Sequence, residues 1–352
     1  MVALVHCLQI ICSRRRALLQ QHHDLLSHTL KYPSNLPQQE QFELAGGVEV
    51  SLTDVGILRF EPPQPDAADI VLSAGVHGNE TGPIELLNRL VQELLAGTLN
   101  CRNRLLILLG NPPAMVVGKR ELEHNMNRLF SGNHSNYQGD EAQRAKRLEL
   151  AVTEFFQQRD GQRYHYDLHT AIRDSKREKF AIYPFRHGKP WKRQQLAFLA
   201  NGGIDTALLI HSPQTTFSYF SSNQFGADAF TVELGKVRPF GHNDSQSVAQ
   251  IESQLRRLIS AEPVLIDAAA PLTVFDVAQE INKQSDAFTL NFADDAANFT
   301  EYQRGDLLAQ DGEVEYRAKA DGEAIVFPNA KVALGQRALL TVLPVGAEQP
   351  FE

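Results

Sequence analysis

Cysteine is scarce in this chain, with only Cys7, Cys12 and Cys101 among 352 residues. The three make neither an even disulfide framework nor a metal-binding spacing, and a reducing cytoplasm suits them. Positive charge is also in deficit: 34 Lys and Arg face 42 Asp and Glu, a net charge of −8. That balance argues against general nucleic-acid affinity, which shows as a basic face. Any cationic pocket for an anionic ligand must therefore be local. No apolar run approaches the roughly 20 residues that span a bilayer, so no membrane partner is expected. Residues 2–12 are mostly apolar, but Arg14, Arg15 and Arg16 follow them, the reverse of a secretory signal. Residues 1–15 read as a possible extension outside the fold, with a first helix over 16–29. Internal repeats, low-complexity tracts and heptads are missing too.

What is present organises itself around short apolar runs with polar ends. Residues 69–76, DIVLSAGV, carry β-branched members and no charge after Asp69, the pattern of a strand covered on both faces. His77-Gly-Asn-Glu80 follows. Ile84, Leu87, Val91, Leu94 and Leu95 then share one helical face, and Gly97 closes the run. The order strand, tight polar turn, helix puts His77 and Glu80 outside a strand's carboxyl end, where open α/β sheets bind ligands. An imidazole and a carboxylate three residues apart suit a zinc ion that keeps a position open. The competing reading is a helix-capping turn with a solvated histidine.

Two further strand ends strengthen the metal reading. Residues 164–170, YHYDLHT, place His169 after an alternating segment, completing a set of two His and one Glu of the catalytic zinc type. Asp167 is either the group that orients a ligand imidazole or a strand-end surface residue. Phe230, Thr231 and Val232 look like a strand with Glu233 at its end, a carboxylate able to move protons. Alternatively Glu233 pairs with Lys236 or Arg238. His165 shares the alternation of His169 and is expected to pack or face solvent. His124 and His134 are weaker candidates for a pocket wall, and His22, His23 and His28 are assigned to the surface.

At 352 residues and 43% hydrophobic, the chain has material for two domains and a sizeable core. Residues 104–109, RLLILL, read as a buried parallel strand broken by Asn111-Pro-Pro113. Residues 141–158 read as an amphipathic helix. Alternating strands and helices to about Ile259 imply an α/β fold, a mostly parallel twisted sheet with helices on both faces. From 263 onward, turns at Gly305-Asp306, Asp311-Gly312 and Asp321-Gly322 punctuate short apolar runs. The expectation is a catalytic domain over 1–262 and a smaller β-rich domain over 263–352 that closes over the site.

Together these motifs resemble the succinylglutamate desuccinylase and aspartoacylase family, a branch of the zinc carboxypeptidase-like hydrolases. The resemblance rests on His77-Gly-Asn-Glu80, Asp167-Leu-His169-Thr170, Thr231-Val-Glu233-Leu-Gly235 and the run GKRELEHNMNRLF at 118–130. It spans roughly 40–345 with the motifs in order. It implies one zinc held by His77, Glu80 and His169, with Glu233 as the proton-transfer group. Arg120 would polarise the scissile carbonyl, and Asn127 with Arg128 would bind a substrate carboxylate. Thr170-Ala-Ile-Arg173-Asp-Ser175 and Phe327-Pro-Asn329 with Gly335-Gln-Arg337-Ala338 look like the desuccinylase branch. No tyrosine follows Tyr316, where aspartoacylases keep a substrate-contacting one. The implied reaction is hydrolysis of N2-succinyl-L-glutamate to succinate and L-glutamate, as in arginine catabolism by the succinyl pathway. Its substrate, a small anionic acyl-amino acid, carries three carboxylates. Arg173 is a candidate for one of them, whereas Lys176, Arg177 and Lys179 read as a solvated loop. The alternatives are deacylation of N-acetylaspartate or N-acetylglutamate, or a non-catalytic binding protein on the same fold. Oligomeric state is not encoded in any readable feature.

Overall fold

The computed structural model describes residues 18–267, 270–345 and 351–352. The segment 1–15 lies outside them, as do Cys7 and Cys12. A thirteen-stranded mixed sheet organises the chain. Its centre is parallel: Arg104–Leu109, Ala68–Ala74, Gln162–Ala171 and Asp228–Lys236 lie side by side in that order. Ala68–Ala74 and Arg104–Leu109 are mostly apolar and buried at every position, Asp69, Ser73 and Arg104 included, as strands covered on both faces are. Alternate residues of the first divide between two cores. Ile70, Leu72 and Ala74 pack on the side of helices Thr81–Ala96, Arg193–Asn201 and Ala249–Ile259. Val71 packs on the side of Asp140–Phe156 and Phe217–Phe225. This is the expected doubly covered sheet.

Helix Thr81–Ala96 ends at Gly97, whose left-handed φ of 74° lets its N–H reach back to Glu93 and Leu94. The expected single first helix is instead two, Leu18–His22 and Leu25–Lys31. His23 turns left-handed at φ 52° and Asp24 caps the second helix by accepting from the Ser27 N–H, so the chain restarts there. His28 is not on the surface either. It is buried beside Glu40 at 3.7 Å and against the Tyr32 ring.

Beyond residue 263 the chain is almost wholly β. Strand Thr273–Asn282 pairs in parallel with Thr206–Leu209 and antiparallel with Arg337–Pro344, so these strands prolong the catalytic sheet. A separate three-stranded sheet, Phe288–Leu290, Leu307–Asp311 and Val314–Arg317, shares a small core with Ile281, Ile325, Ala338 and Leu339 of the large sheet. No helix among the described residues is long and apolar enough to cross a membrane.

Candidate active site

Parallel pairing brings the site together. Ala74 lies opposite Leu168, and His169 opposite Glu233, so the turn after the first strand and the ends of the next two share one edge of the sheet. The turn is shaped by a close approach. A Cβ on Gly78 would stand 2.4 Å from Ala114 C and Met115 N, so only glycine fits against the helix Pro112–Val116. Gly78 N–H also donates to Arg120 C=O at 3.0 Å, tying the turn to the loop that carries Arg120.

His77, Glu80 and His169 are all buried, with one donor atom from each lying within 4.8 Å of the others. His77 Nδ1 is 2.8 Å from Glu80 Oε1, and His169 Nδ1 is 2.9 Å from Glu80 Oε2. The other ring nitrogens are committed. Asn125 Oδ1 already accepts from Asn127 N–H, so it serves as an acceptor and His77 Nε2–H donates to it at 3.0 Å. His169 Nε2–H donates to Asp167 Oδ2 at 2.8 Å. With a cation in place of the His169 Nδ1 proton, both rings would be neutral in those tautomers and turn two Nδ1 lone pairs toward the space beside the Glu80 carboxylate. Such an array of three donors suits a bound cation, and its N/O composition fits zinc.

A buried chain of hydrogen bonds stands behind His169. Ser73 Oγ donates to Asp167 Oδ1 at 2.5 Å, so its oxygen must accept from His165 Nε2–H at 2.8 Å. His165 Nδ1 then accepts from Ser221 O–H at 2.7 Å. Every proton in the chain points toward Asp167, which leaves Asp167 able only to accept from His169. His165 is therefore fully buried, settled as a packed and hydrogen-bonded residue. Burial opposes protonation of His169, yet Asp167 and Glu80 outweigh it and hold its pKa well above the usual histidine range. Burial and Arg120 together pull His77 down to about 4.

Glu233 stands within strand Asp228–Lys236, and its Oε2 is buried without a hydrogen-bond partner. Burial, reinforced by the neighbouring Glu80 carboxylate, pushes its pKa up to about 7. Lys236 does not pair with it, because its ammonium bonds Asp174 at 2.5 Å. A group balanced between its two protonation states near neutrality is suited to accept a proton and return it.

The surrounding cavity has a volume of about 680 Å³, and His77, Glu80, Arg120, Asn127, Arg128, His169, Arg173 and Glu233 all line it. Arg120 reaches Glu80 Oε1 at 2.5 Å. Asn127 Oδ1 accepts from Phe217 N–H at 3.1 Å, which orients the carboxamide so that its NH2 edge remains to donate. Arg173 lines the cavity but binds backbone: its guanidinium donates to the carbonyls of Asp294, Ala296 at 3.0 Å and Pro328 at 3.1 Å. His124 and His134 are not on the wall. Their Nε2 atoms meet Gln138 C=O and Glu149 instead.

Glu141 was not legible as part of this site. Its carboxylate accepts the N–H groups of Leu122 at 2.8 Å, Glu123 at 2.9 Å and His124 at 2.5 Å, with Asn111 Nδ2 at 2.7 Å. It thereby pins the loop between Arg120 and Asn127. Burial alone would raise its pKa, but the three amides hold it below the usual carboxylate range.

A family model described as the succinylglutamate desuccinylase/aspartoacylase catalytic domain matches residues 66–259, and one described as the barrel-sandwich hybrid domain of the same family matches 270–345. The chain belongs to the succinylglutamate desuccinylase/aspartoacylase family. It is accordingly an enzyme of a hydrolase family, with the sheet and the smaller β-rich C-terminal unit of that architecture. A succinylglutamate desuccinylase of Idiomarina loihiensis is 49% identical over 332 residues, 92% of this chain and 97% of that one. The crystal structure of the succinylglutamate desuccinylase from Chromobacterium violaceum superposes with a TM-score of 0.82 at 39% identity, covering 93% of this chain and 99% of that chain. That of Vibrio cholerae gives 0.85 at 33% identity, covering 93% and 97%.

Proposed function

We propose that the protein hydrolyses the amide bond of N2-succinyl-L-glutamate, releasing succinate and L-glutamate, with one zinc ion held by His77, Glu80 and His169. The observation that carries the reading is the conjunction of that donor cluster with Glu233, register-paired to His169, in one cavity walled by arginines. The high identity to desuccinylases over nearly the whole chain supports the choice of acyl group. Zinc, when bound, supplies a Lewis acid that polarises the carbonyl and acidifies a water.

The chain's own residues do the rest. Glu233 takes a proton from the water that attacks the succinyl carbonyl carbon. As the C–N bond breaks, Glu233 returns that proton to the glutamate nitrogen, so that water is divided between the two products. Arg120 stabilises charge growing on the carbonyl oxygen; preorganised charge of this kind often contributes most to catalysis. Asn127 donates, and Arg128 offers a guanidinium, to a substrate carboxylate. We also assign the work to the cytoplasm and the domain boundary to 262/263, with the catalytic residues on the first part.

The test is succinate release from N2-succinyl-L-glutamate beside N-acetyl-L-aspartate and N-acetyl-L-glutamate, with and without chelator and in Glu233→Gln. Turnover of the succinyl substrate that vanishes with chelator and in the variant is the expected result. Turnover confined to an acetyl substrate would overturn the acyl assignment while leaving the chemistry intact. Absence of turnover on all three in zinc-loaded protein would remove the functional reading.

A further inference from the structure

Among the described residues, the cavity wall carries two partly buried arginines with no carboxylate in ion-pair range. Of its other partly buried arginines, Arg120 meets Glu80 and Arg173 is consumed by three carbonyls. Arg128 and Arg337 differ. Among the described residues neither has a carboxylate within 4 Å, and the hydrogen bond from Arg128 goes to the neutral Asn127 C=O at 3.1 Å. Arg337 opens strand Arg337–Pro344, opposite Asn282, and so comes from the C-terminal β-rich unit, over 200 residues from Arg128. Glu121, which acts on Arg128, and Glu280, which acts on both, do so from beyond 4 Å, and Glu280 is already engaged by the Ser212 hydroxyl at 2.8 Å.

An unpaired guanidinium taken out of water is costly, and two in one cavity repel each other as well. The repulsion is felt: burial, then Arg337 and Arg120, drag the Arg128 pKa down to about 9. Burial lowers Arg337 likewise. A fold tolerates such a pair where an anion arrives to occupy it, and a carboxylate suits the fork of a guanidinium.

We propose that Arg337 is a substrate-binding residue, meeting a carboxylate of the bound acyl-amino acid beside the one held by Asn127 and Arg128. The C-terminal unit then supplies part of the specificity, and the role given to Arg173 from the sequence passes to Arg337. This rests on the functional reading above, which fixes the substrate as a tricarboxylate.

The experiment compares the wild type with Arg337→Gln and Arg337→Lys, each checked for unchanged melting. The substrates are N2-succinyl-L-glutamate and three analogues, each lacking one carboxylate: N-acetyl-L-glutamate, N2-succinyl-L-glutamine and N-succinyl-4-aminobutyrate. Arg337→Gln should lower kcat/KM for the full substrate about 100-fold, with partial recovery in Arg337→Lys. That penalty should shrink to near unity for the one analogue that lacks the contacted carboxylate. An equal penalty on all four substrates, or none, would overturn the proposal even if the wild type is a good desuccinylase. A wild type without turnover would sink the functional reading instead. In that case calorimetric titration with succinate and with L-glutamate decides on Arg337: about tenfold weaker binding of at least one in Arg337→Gln sustains the proposal, and unchanged binding of both ends it.

Discussion

Replacing Asp167 by Asn tests whether the hydrogen-bond chain behind His169 sets the metal site. The substitution is nearly isosteric in a position with no exposed surface, so packing changes little. Its effect lies in the hydrogen bonds. Asp167 accepts from Ser73 through one oxygen and from His169 Nε2–H through the other. A carboxamide offers one acceptor and one donor. If its oxygen keeps the Ser73 hydroxyl, its NH2 faces His169 Nε2, which must then accept, and the ring proton moves to Nδ1, the atom aimed at Glu80. Ligand binding would have to pay to restore the tautomer. Loss of such an orienting partner typically weakens metal affinity about 10- to 100-fold, or roughly 1.4–2.8 kcal/mol. The assay is zinc competition against a chelating indicator at pH 7, on protein whose melting temperature is recorded in parallel. Ser73→Ala should weaken zinc less than Asp167→Asn, because it removes a donor to Asp167 but not the acceptor of His169. Unchanged zinc affinity in Asp167→Asn would refute the tautomer argument. Equal weakening in a distant core variant of matched stability would refute it too, since the effect would then track folding and not the chain of donors.

Three further outcomes follow from contacts around the cavity. Glu141→Gln should lower stability by about 2–3 kcal/mol, because one carboxylate serves three amides that a carboxamide cannot all satisfy. The folded pKa of Glu141 lies below its unfolded value, so its contribution is present above about pH 4.5 and drains away as pH falls through the folded pKa. Urea melts at pH 7 and at pH 4 should therefore show a smaller gap between wild type and variant at the lower pH; a constant gap would contradict the account. Gly78→Ala should reduce activity and zinc affinity together, since its Cβ drives the turn from Ala114 and Met115; wild-type zinc binding would show that the turn has room. Arg173→Ala should cost about 1–3 kcal/mol of stability by freeing the carbonyls of Asp294, Ala296 and Pro328. Its KM should stay near that of the wild type, and a large KM rise at unchanged melting would return Arg173 to substrate binding.

The parts of this fold readable in the sequence are those dictated by nearest neighbours. A seven-residue strand buried throughout is mostly apolar, and the run before His77 is, with Asp69 and Ser73 its two polar members. The helix after Glu80 announces its face by spacing and its end by Gly97. His165, Asp167 and His169 fall at alternate positions, so the sequence even places them on one side of a strand. What spacing could not supply was the partner on another element. Ser73 and Ser221 look like any strand and helix serine until parallel pairing and the helix Phe217–Phe225 bring them to opposite nitrogens of His165. The break at His23 was missed for a related reason: the helical pattern of 16–29 continues through a residue whose backbone turns left-handed.

Arginine shows the limit most clearly, because its role is decided by what stands beside its charge. Arg173 sits four residues after His169, a candidate metal ligand, and Arg337 far along the chain, so proximity in sequence favours the former. The folded chain gives the two different partners. Arg173 bridges to the C-terminal unit and directs its donors to carbonyls, while Arg337 is carried to the cavity by that unit and, among the described residues, has no carboxylate within 4 Å. The two facts belong together. The fixed carbonyls beside Arg173 help seat the C-terminal strands against the catalytic sheet, and that seating brings Arg337 into the cavity with Arg128. A wall of guanidiniums assembled from two units in this way keeps its charge local in a protein whose net charge is −8. The overall charge therefore says little about the site, and the unpaired guanidiniums say a great deal.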